Sequence, residues 1–127
     1  MGTLILQTHG LVRWLVLIAG LLVILRAGWG WFSNLSYEKP DNILGAAFTG
    51  LVDLNVLLGI IVFIALASAI QHPAAEIHAA IMIVSAVIAH VARRLSRSRE
   101  GKVKHLFQGV GVLVTFVLIL VGIQFVT

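Results

Sequence analysis

Residues 76–94 read EIHAAIMIVSAVIAHVARR, and this stretch decides the class of fold. It belongs to an apolar run from about Ala74 to Val91 that ends against Arg93 and Arg94. A run of this length is typical of a helix that crosses a bilayer, because about 20 residues at 1.5 Å per residue cover about 30 Å of hydrocarbon. The stretch therefore predicts a transmembrane helix that ends at a basic surface.

Three more apolar runs accompany it, at about 9–25, 44–70 and 106–125. The chain is 60% hydrophobic and 11% charged, with a mean hydropathy of +1.06, which exceeds what a soluble domain carries. Long runs without alternation exclude barrel strands. No basic residue precedes the first run, which predicts a retained helix and not a cleaved signal peptide. We therefore predict one all-α domain over 1–127, an integral membrane four-helix bundle with up-down topology.

The basic residues predict how the bundle is oriented. Six of the nine Lys and Arg residues lie between the third and fourth runs, and Arg26 and Lys39 flank the first connection. With four spans these two connections share a side, and the positive-inside rule places basic loops in the cytoplasm. We expect loops 26–43 and 93–105 in the cytoplasm of a bacterial plasma membrane and both termini outside. The basic loop is interpreted as a topological anchor, with specific binding of anionic lipid or of a partner as the alternative, and no nucleic-acid partner is expected.

Several classes of chemistry are disfavoured by the residue inventory. The chain has no cysteine and only five Asp and Glu residues, which are scattered along it. It therefore offers no thiolate ligand or nucleophile, no paired carboxylates and no catalytic triad. A glycine-rich phosphate loop is also absent. Any cofactor would be held by histidine, methionine or carboxylate.

The histidines are the strongest candidates for ligands. His9 and His78 are expected near the outer end of the bundle, His90 and His105 near the inner end, and His72 in the outer hairpin. A haem iron takes neutral imidazole as its usual axial ligand, and bundle interiors hold such cofactors. Two cross-helix pairs are conceivable, and the outer pair is favoured because the inner two histidines adjoin basic interface residues.

Helical spacing separates the two histidines of the opening stretch. His78 and His90 are twelve residues apart, which is about 18 Å along the axis and about 120° around it. They therefore do not share a face. Met82, at i+4 from His78, does share the face of His78, and it either lines the same site or simply packs.

Two charged residues are expected inside the membrane. Arg13 lies at i+4 from His9, and a buried guanidinium requires a partner. Asp53 in the second helix is the candidate, which predicts an Arg13–Asp53 ion pair with either a structural role or a role in proton handling or haem-propionate binding. Asn55, two residues further on, is expected to point away from Asp53 and to bond a neighbouring helix or subunit.

Three segments carry a family resemblance: HGLVRWLVLIAGL at 9–21, FTGLVDLNVLLG at 48–59 and HAAIMIVSAVIAHVARR at 78–94. Together they resemble a family of small bacterial four-helix membrane proteins labelled cytochrome b-like. The resemblance places His9 with Arg13, Asp53, and His78 with Met82 on recurring positions. It implies b-type haem and electron transfer.

These observations lead to one expected function and two alternatives. The first is a membrane protein that binds one haem b between His9 and His78 near the outer face, for one-electron transfer with a quinone or periplasmic partner. The second is a cofactor-free structural or assembly subunit of a homo-oligomer or a larger membrane complex. The third is a small transporter or channel subunit that uses Arg13 and Asp53 as a charge relay.

Overall fold

The computed structural model of the protein describes residues 2–66 and 73–126. Four helices and no strand are found in these two ranges. Each helix is long and apolar enough to cross a membrane, so the prediction of a membrane-spanning four-helix bundle is confirmed. The helices are α1 (Gly2–Phe32), α2 (Lys39–Ala65), α3 (Pro73–Arg97) and α4 (Val103–Gln124).

The helices form a ring in which each one packs against its neighbours in sequence, and α1 also packs against α4. The α2–α3 contact is the loosest of the four, and α1 and α3 lie diagonally across the bundle. The connections 33–38 and 98–102 lie at one end, which we call the basic end. The opposite end holds the start of α1 and the end of α4, and we call it the terminal end.

The core is a column of valines with one large aromatic side chain. Phe48 is completely buried, and it lies against Gly20, where an added Cβ would come within 2.8 Å of both Phe48 and Phe116. Glycine at position 20 therefore lets α1 approach the other helices closely. The buried core cluster consists of Val12, Val16, Val23, Phe48, Val52, Val112 and Ile119.

The outer surface of the bundle is apolar. Large hydrophobic side chains are exposed along all four helices, for example Leu22 on α1 and Ile64 on α2. Such a surface is stable in contact with lipid chains and would be an aggregation hazard in water. The arrangement indicates a multi-pass protein embedded in a bilayer.

The helices extend further at the basic end than predicted, which corrects the predicted loops 26–43 and 93–105. Helix α1 continues through Gly28 and Gly30 to Phe32, and α2 begins at Lys39. The His105 ring packs directly on the backbone of Gly30, with Cε1 2.6 Å from where a Cβ would be, so glycine at this position lets α1 and α4 approach closely. The connections are therefore only residues 33–38 and 98–102.

The start of α2 is fixed by a capping box. Glu38 is the N-cap, and its backbone N–H donates to the Asp41 Oδ2 atom at 2.9 Å. Asp41 thus contributes to the cap from the third helical position. Helix α3 begins at Pro73. The hairpin predicted around His72 lies outside the described residues.

Candidate binding cavity between the helices

A cavity of about 780 Å³ lies in the half of the bundle toward the terminal end. All four helices line it, mostly with apolar side chains. This volume falls within the range of about 300–1,000 Å³ that is typical of small-molecule and cofactor sites. The loose packing of α2 against α3 leaves room for this cavity between the helices.

The polar residues in the wall of the cavity include most of the predicted site. His9, Arg13, His78 and Met82 all line it, so the structure brings together the four residues predicted to bind a cofactor. Asn55, which the sequence predicts to contact a neighbouring helix or subunit, also lines it and lies next to His9 of α1. Because α1 and α3 are diagonal, His9 and His78 reach the cavity from opposite sides of the bundle.

The orientation of His78 is fixed by a backbone acceptor. Its Nδ1 atom lies 2.8 Å from the carbonyl oxygen of Gly122. A carbonyl oxygen can only accept, so Nδ1 carries the hydrogen and Nε2 keeps its lone pair. Gly122 lies in the last turn of α4, where backbone carbonyls lack the usual i+4 donor. The end of one helix therefore selects the tautomer of a side chain on another.

Met82 packs against the same glycine. A Cβ at Gly122 would lie 2.7 Å from the Met82 Cε atom. The bare backbone at position 122 thus accommodates Met82 while it holds His78, one helical turn away on the same face of α3. Met82 combines packing against α4 with a place in the cavity wall.

The ring of His9 lies against Gly59 of α2. An added Cβ at position 59 would be 3.0 Å from His9 Cε1, so any larger residue would require the imidazole to shift by a few tenths of an ångström. Asn55 lies one turn earlier on the same face of α2 and next to His9. The His9 Nδ1 and Asn55 Oδ1 atoms are both buried, and neither has a hydrogen-bond partner among the described residues.

Arg13 is half-buried at the cavity, with its guanidinium 5.5 Å from the centroid of the Trp14 ring. The structure does not bring Arg13 and Asp53 together. The Asp53 carboxylate oxygens instead lie 2.7 and 2.8 Å from His90 Nε2. Two residues turn a helix by about 200°, so the rotation that directs Asn55 into the bundle directs Asp53 outward.

The other two histidines in the described ranges, His90 and His105, lie in different environments. His90 is exposed on the outside of the bundle with Asp53. His105 is completely buried at the basic end, where its Nε2 lies 3.2 Å from the Ser36 carbonyl oxygen. The alternative site between His90 and His105 therefore has no geometric basis in the structure.

The basic end is closed by a network of hydrogen bonds. Arg26 Nε donates to Asp41 Oδ1 at 2.7 Å, and Gln108 Nε2 donates to the Asp41 carbonyl oxygen at 2.9 Å. The Tyr37 hydroxyl donates to Gln108 Oε1 at 2.5 Å. Burial raises the pKa of Tyr37 above its usual value, although the nearby Arg93 guanidinium opposes this shift. These contacts fill the basic end and leave the large cavity to the terminal end.

Fold and cavity together define a class: an integral membrane four-helix bundle with an internal cavity that presents two histidines from diagonal helices. The chain matches no family model, no curated protein and no solved structure. In the described ranges no three His, Cys, Asp or Glu side chains form a metal-binding group. The cavity and its pair of imidazoles are therefore the features that indicate function.

Proposed function

We propose that this protein is a cytochrome b-like membrane protein that holds one haem b in the cavity for one-electron transfer with a quinone or periplasmic partner. The orientation of His78 is the observation that carries the proposal. Its Nδ1–H is bonded to the Gly122 carbonyl, which leaves Nε2 as the nitrogen that can bind iron. Metal-binding histidines in proteins commonly donate their other ring N–H to an acceptor of this kind.

The residues present fit a b-type haem. The cavity is of suitable size and mostly apolar, and imidazoles reach it from opposite helices. Gly59 provides the space in which the His9 ring lies. The buried His9 Nδ1 and Asn55 Oδ1 atoms have no hydrogen-bond partner in the described part of the chain, and they would complement each other as donor and acceptor. Haem bound here would supply reversible one-electron chemistry at its iron.

The side chains of this chain would bind and orient the group. His9 and His78 would hold the haem iron through Nε2, and the Gly122 carbonyl would keep the His78 ring in place. Asn55 Oδ1 would accept a hydrogen bond from His9 Nδ1 and so act as the positioning residue on the opposite side. The two histidines would thus each have a fixed tautomer.

Arg13 would bind the propionate carboxylates of the haem. Its guanidinium lies in the cavity wall, and a charged group at this depth in a membrane requires a counter-charge. The Asp53 carboxylate is bonded to His90 and points outward. A propionate would provide the counter-charge and could accept two parallel hydrogen bonds from the guanidinium.

The proposed side of the membrane follows from the basic loops. If these loops are cytoplasmic, as the positive-inside rule predicts, the cavity lies toward the outer face of a bacterial plasma membrane. Electrons would then be exchanged with a periplasmic protein or with a quinone in the outer half of the bilayer.

The test is an absorption spectrum of protein purified from cells with ample haem supply. We expect a Soret band that shifts on reduction with dithionite, and its loss in His9→Ala and in His78→Ala. His90→Ala is the matched control, since His90 lies on the outside of α3, and it should keep the band. A colourless wild-type preparation would end this proposal.

One observation favours the second function, a cofactor-free structural or assembly subunit. The Asp53–His90 pair is exposed on the outside of the bundle, where lipid cannot satisfy it. Another chain at this surface would do so. Purification of a colourless protein within a larger membrane complex would support this function over haem binding.

A further inference from the structure

The basic end carries more positive charge than its own carboxylates can neutralise. Eight of the nine Lys and Arg residues lie at this end, together with only three Asp and Glu residues. Among the residues that the structure describes, Arg26 alone of these eight has a carboxylate within 4 Å, that of Asp41. The cations without such a partner are Lys39, Arg93, Arg94, Arg97, Arg99, Lys102 and Lys104.

Three of these cations lie along the contact between α2 and α3. Arg93 Nη2 donates to Asn42 Oδ1 at 3.0 Å, so the guanidinium joins the two helices. Arg97 lies one turn after Arg93 on the same face of α3, and Lys39 lies one turn before Asn42 on α2. Lys39 and Arg97 are both exposed. We call these four residues, Lys39, Asn42, Arg93 and Arg97, the cationic groove.

The charge of Arg93 is not neutralised within the described part of the chain. Its one hydrogen-bond acceptor there, Asn42 Oδ1, is neutral, and its Nη1 atom is buried without a partner. The Asp41 carboxylate is already bonded to Arg26 and to the Glu38 backbone N–H. A guanidinium does not lose its proton in proteins. The groove is therefore permanently cationic and has room for an anion from outside the chain.

The groove lies at the level of the lipid head groups. Arg93 follows Pro73 by twenty residues in α3, which is about 30 Å along the helix axis. The hydrocarbon layer of a bilayer is also about 30 Å thick. Next to the groove, the outer surface continues toward the middle of the membrane with exposed apolar side chains such as Ile43 and Val91. A molecule in this position would have a polar group at the cations and an apolar part along the helices.

We propose that the cationic groove binds an anionic phospholipid through its phosphate group. A phosphate accepts charge-assisted hydrogen bonds from guanidinium and ammonium groups. A zwitterionic head group would bring its own cation against Lys39 and Arg97, which repels it, so a lipid with net negative charge is selected. The acyl chains would lie on the apolar surface beside α2 and α3.

Lipid binding in the groove does not depend on haem binding. None of the four residues of the groove lines the large cavity. A colourless protein would therefore leave this proposal intact, and loss of lipid binding would leave the haem proposal intact.

Lipid titration of the purified protein in detergent tests the proposal, with bound lipid measured by native mass spectrometry. The probe is phosphatidylglycerol, and the comparison lipid is phosphatidylcholine with the same acyl chains. We expect saturable binding of phosphatidylglycerol with a dissociation constant at least about tenfold lower than that of phosphatidylcholine. Equal affinities would overturn the proposal. Equally tight binding of free glycerol phosphate would overturn the lipid as the source of the phosphate.

Two double variants locate the site. Lys39→Gln with Arg97→Gln should raise the dissociation constant of phosphatidylglycerol at least about tenfold. Arg99→Gln with Lys102→Gln is the matched control, because it removes two charges from the same end at side chains that lie over aromatic rings outside the groove. The control should bind as the wild type does. All four side chains are exposed, and circular dichroism checks that helix content is unchanged. Equal weakening in the two variants would indicate diffuse attraction to the whole basic end and would overturn the groove as the site.

Discussion

The Nδ1 atom of His78 lies 2.8 Å from the carbonyl oxygen of Gly122, forty-four residues further along the chain. This bond joins the first turns of α3 to the last turn of α4, and it uses the imidazole as a donor. The other ring nitrogen keeps its lone pair, and His78 is in the wall of the cavity. Under the proposed function His78 therefore has two separable roles, one in holding two helices together and one in binding a ligand.

His78→Asn should separate these roles. The asparagine amide can donate to the Gly122 carbonyl, but it offers no second nitrogen to iron. We expect helix content and thermal midpoint near those of the wild type together with loss of the Soret band, whereas His78→Ala should lose both the band and some stability. A wild-type spectrum in His78→Asn would show that His78 is not a ligand.

Asn55→Leu should weaken haem binding by about 10–100-fold, because loss of an outer hydrogen bond to a metal-binding histidine has effects of this size. Asn55→Asp should restore binding and lower the midpoint potential, because a charged acceptor makes the His9 imidazole a stronger donor to iron. Haem titration and potentiometry measure these effects. If Asn55→Leu equals the wild type in affinity and potential, Asn55 does not position His9.

Gly59→Ala should disturb the same imidazole from the backbone side. Its Cβ would lie 3.0 Å from His9 Cε1, so the ring must move by a few tenths of an ångström. We expect haem affinity to fall by about tenfold, measured by the same titration. Gly50→Ala is the control on the same helix, because its Cβ meets no atom within 4 Å. Equal affinities in the two variants would contradict the assigned place of the His9 ring.

Two glycines of α1 give a test of the fold that is independent of haem. Gly30→Ala would place a Cβ 2.6 Å from His105 Cε1, and the buried ring has no room to move. We expect a loss of about 1–3 kcal/mol in the free energy of unfolding, as for other overpacked cores.

Gly28→Ala is the control two residues earlier, where a Cβ meets nothing within 4 Å. It should be neutral or should stabilise the helix by up to about 1 kcal/mol. Unfolding in the same detergent compares the two. If Gly28→Ala were the more damaging change, the packing of His105 on α1 would be wrong.

The depth of each residue in the membrane could be predicted from the sequence, because depth follows from the number of residues along the helix. Each residue advances a helix by 1.5 Å, so His9 and His78 were expected at one level, with Arg13 and Met82 one turn away on the same faces. The structure places all four in one cavity. Apolar run length gave the number of spans in the same way.

Rotation around the helix axes could not be predicted, because it is set by contacts between helices. The choice between Asp53 and Asn55 as the inward residue depends on how α2 packs on α1, where Gly59 receives the His9 ring. One signal for the inward position of Asn55 is present in the sequence. Asn55 lies four residues, about one helical turn, before Gly59, so the two share a face of α2. The end of α1 at Phe32 could not be predicted for a similar reason, because the close packing of His105 on Gly30 is a contact between helices.

Tyr37 provides a prediction about pH. Its hydroxyl donates to Gln108 in the folded protein, and burial raises its pKa. The folded pKa is then above the unfolded value of about 10. The resulting contribution to stability is present below about pH 10 and is lost as the pH rises through the folded pKa. We expect the phenolate absorbance of folded protein to appear at higher pH than that of protein unfolded in denaturing detergent.

The measurement is unambiguous because Tyr37 is the only tyrosine in the chain, so the phenolate signal belongs to one side chain. Tyr37→Phe keeps the ring beside His105 but removes the hydroxyl and with it the titration, so its stability should fall less above about pH 10 than that of the wild type. Coincident phenolate titrations in folded and unfolded wild-type protein would contradict the buried hydroxyl.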